Sequence, residues 1–193
     1  MRNPISATYQ LFDDTLMYGV NKTVYAWNWS TGYTKEDLAN VLNLAGYPLF
    51  CSSVFYKYPL AYFVAVPFGI VVSLATSSMN SDYGNRELQA ASKGLLDPKV
   101  EMHKRNCKAN GYVLTFGDIF LTIKDRYTEY DAIEANQLFG IKVGLGLVGI
   151  SNIVMCADPL PPRKNVFSRA VDRAAELYEE YKKPVLQPAG ISD

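Results

Sequence analysis

YPLAYFVAVPFGIVVSLATSSMNS, residues 58–81, carries no acidic or basic side chain, and back to Ala39 the one charge is Lys57. A hydrocarbon layer about 30 Å thick is crossed by roughly 20 helical residues, so the stretch has the length and polarity of a membrane span. Pro59 suits the first turn of a helix, where its missing N–H costs nothing, and Tyr56, Lys57 and Tyr58 are residue types that anchor a span at the water boundary. Pro67 removes one backbone hydrogen bond and implies a kink, which neighbouring helices in a bilayer accommodate. The β-branched content supports a competing reading, a buried hairpin of residues 61–66 and 70–75 turning at Pro67, Phe68 and Gly69.

Residues 138–157 form a second apolar run, interrupted only by Lys142, whose long side chain reaches toward the boundary. Gly140 and Gly144 stand four apart, with Gly146 and Gly149 beyond them. Small residues at this spacing let two helices approach closely where lipid supplies no hydrophobic drive, so these four glycines are the expected helix-packing residues. Gly144-x-Gly146-x-x-Gly149 also spells a dinucleotide-binding turn. Such a turn needs a second strand and a ribose-binding acid about twenty residues on, whereas Asp158 comes too early and Pro159, Pro161 and Pro162 follow it. No cofactor is expected.

Shorter elements surround these runs. Phe12, Leu16, Val20, Val24 and Trp27 recur at helical spacing with polar residues between them, as in an amphipathic helix, although residues 18–26 also suit a hairpin. Thr34 and Asp37 form a reciprocal cap opening a helix over 35–45, which Gly46 and Pro48 should end, leaving 49–56 as an apolar connector. A helix is expected near 86–96, and another from the Asp97 cap and Pro98 to about Gly111. Residues 112–123 are too few to cross a bilayer and read either as a buried helix or as a hairpin turning at Gly117 and Asp118. Thr128 and Asp131 suggest a second reciprocal cap. The last helix is the most amphipathic: Phe167, Val171, Ala174, Leu177, Tyr178 and Tyr181 share one face, and its mixed charge on the other points to a protein contact, not a lipid surface.

Nineteen basic and nineteen acidic residues balance, so no bulk field favours nucleic acid. Cys51, Cys107 and Cys156 lie too far apart for a Cys-x-x-Cys pair, which suits a reducing environment, and no secretory or transit signal stands out near the amino end. Catalytic signatures are sparse. His103 has no nucleophile at recognisable spacing, and Cys107, four residues on, is its nearest approach to a metal pair, beside Lys104, Arg105 and Lys108, which repel cations.

The expected fold is mainly α: a membrane protein with two transmembrane helices, near 59–77 and 138–157, plus short amphipathic helices, both termini on one side. The chain divides as 1–57, interfacial helices and connector; 58–78, first span; 79–136, polar helical segment; 137–157, second span; and 158–193, amphipathic helix and tail. The alternative is a soluble α+β protein with buried hairpins. The expected role is an accessory or structural subunit of a membrane assembly, its partners other membrane subunits or itself and the bilayer. Alternatives are a soluble enzyme or ligand binder, and a small carrier or pore component lacking any intramembrane acid, with Lys142 as its sole polar contact.

Overall fold

The computed structural model describes residues 4–182, and these form six α-helices with no strand among them. They are α1 (Pro4–Thr31), α2 (Lys35–Val54), α3 (Pro59–Ser92), α4 (Pro98–Asp125), α5 (Ala132–Val154) and α6 (Val166–Lys182). All three alternative hairpins are therefore corrected to helix, residues 18–26 lying inside α1, and with them the soluble α+β alternative. Residues 61–75 lie inside α3, and residues 112–123 are the second half of α4.

Local chemistry sets the helix starts. Thr34 accepts from the Asp37 amide while the Asp37 carboxylate accepts from the Thr34 amide at 2.8 Å, opening α2. Asp97 accepts from the Lys99 amide at 2.8 Å, and Pro98 fixes the first turn of α4. Asp131 alone caps α5 through the Glu134 amide at 2.6 Å, because Thr128 instead donates back to the Lys124 carbonyl at the end of α4. Gly32 and Gly94 supply the left-handed backbone after α1 and α3, with φ of 82° and 66°.

Helix ends depart from the sequence reading in three places. Gly46 and Pro48 do not stop α2, and α3 runs unbroken past Pro67 to Ser92, absorbing most of the separate helix expected near 86–96. Gly111 likewise lies within α4. The reason is packing. A Cβ on Gly69 would stand 2.6 Å from the Pro48 Cα, and one on Gly46 would stand 2.8 Å from Val148, so these glycines are points of close helix approach, not terminators. The hydrogen bond that Pro48 withholds is outweighed by tertiary contact along both faces of α2.

Helix α2 is central, with α3 on one side and α5 on the other, and α4 packs on the far side of α5. Helices α2 and α4 run parallel to each other and antiparallel to α3 and α5. The register follows from Asn40 beside Asn80, Gly144 against Phe50 and Gly111 against Ile153. Helix α1 lies over the end where α2 and α4 begin. Its Asp13 reaches Lys108 and Tyr112 of α4, and Val24 joins a core of Ala39, Cys107 and residues 154–157. Its Asn28 donates to the carbonyls of Tyr33 and Pro161.

The four-helix body has an unusual distribution of side chains. Its interior is rich in small and polar residues: Asn43, Ser73 and Ser151 are almost fully buried, with Gly46, Gly69, Gly140, Gly144 and Gly149 and the apolar Ala65, Val148 and Ile153. Its exterior is apolar, with Leu60 86%, Phe63 74%, Val113 70% and Phe116 60% exposed. The most apolar 18-residue windows of α3 and α5 are only 17% and 39% buried. In water the large apolar side chains would go inside, so this body places its greasiest surface where a water-soluble protein places charge.

Candidate functional site

Two features stand out: a buried charged node at the α1-covered end, and the seams between α5 and its neighbours. The node centres on Lys35, whose side chain is 0% exposed. A cation in the first turn of a helix opposes the helix dipole, yet here the ammonium leaves α2 and turns to the end of α5. It donates to the carbonyls of Ala157 at 2.6 Å and Met155 at 3.3 Å, where the dipole favours positive charge. Its third contact is the Glu87 carboxylate at 2.6 Å, which Lys104 also holds at 2.8 Å. One acid on α3 thus ties α2, α3, α4 and the exit of α5 together. Beside it Glu36 is buried against Gly84, where a Cβ would stand 2.4 Å from its carboxylate.

Neighbouring groups complete this end. The His103 ring stacks on Tyr83 at 3.9 Å. His103 Nε2 lies 3.4 Å from Cys107 Sγ, a spacing that invites comparison with a nucleophilic dyad. Cys107 is buried and His103 half-buried, so the pair is part of the packing between α3 and α4. Among the described residues no group of three metal-ligating side chains comes together. Burial opposes ionisation of Asp13, but hydrogen bonds from Lys108 and Tyr112 outweigh it and hold the carboxyl below its usual range.

The glycines of α5 lie mid-helix, not in a strand-to-helix turn, so the dinucleotide geometry is not formed. Gly140 faces Ser53, Gly144 faces the Phe50 backbone and Gly149 faces Thr115 and Leu114, so α5 uses one set of small residues toward α2 and another toward α4. Gly146 sits at the edge of the second seam, under the carboxylate of Asp118. Lys142 is not free, being paired with Asp125 at 2.7 Å.

Helix α6 touches the rest of the chain chiefly at α1, where Arg169 lies over the Trp29 ring at 5.0 Å and donates to the Trp29 carbonyl. Phe167, Val171, Ala174, Leu177 and Tyr178 are exposed, and the Tyr181 side chain lies outside the described residues. An apolar groove of about 390 Å³ opens between α1, α2 and α3, lined by Trp27, Tyr33, Leu44 and Leu74.

The sequence reading missed the node because Lys35, Glu87 and Lys104 are far apart in the chain. One signal was available: a lysine at the position where helix starts favour acids. It also missed Asp118 as a seam residue, having set residues 112–123 apart from any span. Comparison with protein-family models, with curated proteins and with solved structures gives no match to this chain.

Proposed function

We propose that this chain is a membrane-embedded structural subunit in which α2, α3, α4 and α5 together cross the bilayer, while α1 lies at one face. The carrying observation is the inverted body: Asn43, Ser73, Ser151 and the seam glycines lie inside beside Val148 and Ile153, while Leu60, Phe63, Val113 and Phe116 lie outside. Lipid gives no reason to bury leucine in preference to glycine, so close backbone approach and interhelical hydrogen bonds determine what goes inside. Ser151 donating to the Ala39 carbonyl at 3.0 Å is one such bond. Helices α2 and α4 stand at the depth of α3 and α5, which favours four crossings over two. Lys57 with Glu134 at one end, and the Lys35 node with α1 at the other, supply the polar boundaries.

A structural role fits the exposed apolar residues Phe167, Val171 and Leu177 of α6, a surface suited to another subunit. The test is topology in sealed vesicles after alkaline washing. Cysteines placed at Leu96 and Tyr127, which are 82% and 85% exposed, are labelled with a membrane-impermeant maleimide. Four crossings put these two positions on opposite sides, so each is labelled from one side only. Two crossings put both on the same side, and a water-soluble body is released by the wash.

A further inference from the structure

We propose that Asp118 is the docking point for a transmembrane helix of another protein, one that carries a lysine or arginine in the middle of its own span. The inference rests on the four-crossing reading above and goes further, by fixing the place and chemistry of the contact. Asp118 lies about 10 Å along the α4 axis from both Gly111 and Asp125, at 1.5 Å per residue, and so near mid-depth of the body. Its carboxylate sits over Gly146 of α5, 3.3 Å from where a Cβ there would be, and makes no hydrogen bond or ion pair among the described residues. One turn earlier, the Thr115 hydroxyl is buried on the same seam without a partner. The outer side of this seam is uncovered and apolar, with Ile119, Phe120 and Ile123 exposed on α4.

Hydrocarbon does not hydrate a carboxylate, and intramembrane acids are matched by cations or line a polar path. Among the described residues no cation pairs with it. Lys142 is paired with Asp125, and Lys57 with Glu134 at the opposite boundary from the node. A second copy brings Lys142 already paired and Lys124 about 9 Å further along α4, so it offers no cation at this depth. A foreign helix does: its apolar residues cover Ile119 and Phe120 while its cation reaches over Gly146, where the missing side chain leaves room.

The test uses the full chain reconstituted in phosphatidylcholine vesicles with leucine-rich peptides of about 22 residues that differ only in one central residue, lysine, leucine or glutamate. Association is read by energy transfer. The lysine peptide is expected to bind about tenfold or more tightly than the leucine peptide, the glutamate peptide worse than either, and Asp118→Asn should erase the lysine preference while Asp118→Glu keeps it. Equal binding of the lysine and leucine peptides to the wild-type chain overturns the proposal without reliance on any variant. So does transfer between two labelled copies of the chain that falls in Asp118→Asn, which would assign the site to self-association. A chain that fails to float with the vesicles overturns both this proposal and the membrane reading, whereas floating without lysine preference overturns this proposal alone.

Discussion

Replacing Lys35 by methionine isolates the energetic weight of the buried node. Methionine keeps most of the length and apolar volume of the side chain, so the loss is that of the ammonium and its contacts. These are the Glu87 carboxylate at 2.6 Å and two carbonyls closing α5, Ala157 at 2.6 Å and Met155 at 3.3 Å. Removing one partner of a buried ion pair costs about 3–5 kcal/mol. Glu87 keeps Lys104 at 2.8 Å and is itself 12% exposed, which places the expected loss near the lower end, about 3 kcal/mol. For a chain of this size each kcal/mol shifts the thermal midpoint by roughly 2–4 °C, so the midpoint should fall by about 6–12 °C. Trp27 and Trp29 on α1 report the transition by fluorescence in detergent. Glu87→Gln combined with Lys35→Met should be less harmful than the sum of the two, by about 1–3 kcal/mol, since each single change strands a charge the other no longer needs. A midpoint shift under about 2 °C together with additive single effects would refute the argument that Lys35 is an obligatory buried cation.

The remaining expectations concern glycines and pH. Gly144→Ala puts a Cβ 2.7 Å from the Phe50 amide nitrogen, so α5 and α2 must part, and a loss of about 1–3 kcal/mol should appear as a lowered midpoint in thermal unfolding. The same change at Gly117, which meets nothing within 4 Å, should raise the midpoint, since alanine is about 1 kcal/mol better than glycine in a helix. Asp13 is held below the ordinary carboxylate value of 3.8, so the unfolded chain binds its proton first as pH falls; stability should decline below about that value, and Asp13→Asn should abolish the decline in thermal midpoints followed by acid titration.

The helical class and much of the local punctuation were legible in the residues. The Thr34 and Asp37 cap, Asp97 before Pro98, and Pro59 at a first turn are decided within four residues of chain, where capping and proline geometry act. The apolar stretches were legible as well, and so was the regular spacing of Gly140, Gly144 and Gly149. Their partners were not, because Phe50, Ser53 and Thr115 are brought to them by the fold.

Where the sequence reading went astray, it applied a local rule that tertiary contact overrode. Gly46 and Pro48 are helix terminators to their immediate neighbours, but Val148 on one side and Gly69 on the other hold α2 together across them. Residues 112–123 were too short to count as a span until Gly111 proved continuous with α4, and that continuity is what turned Asp118 from a turn residue into a mid-body carboxylate. Composition and short-range spacing thus determined that the chain forms helices and where most of them begin. Only three-dimensional packing decided which helices continue, which faces meet, and which charges lie deep, because those depend on residues dozens of positions apart competing for the same few ångströms.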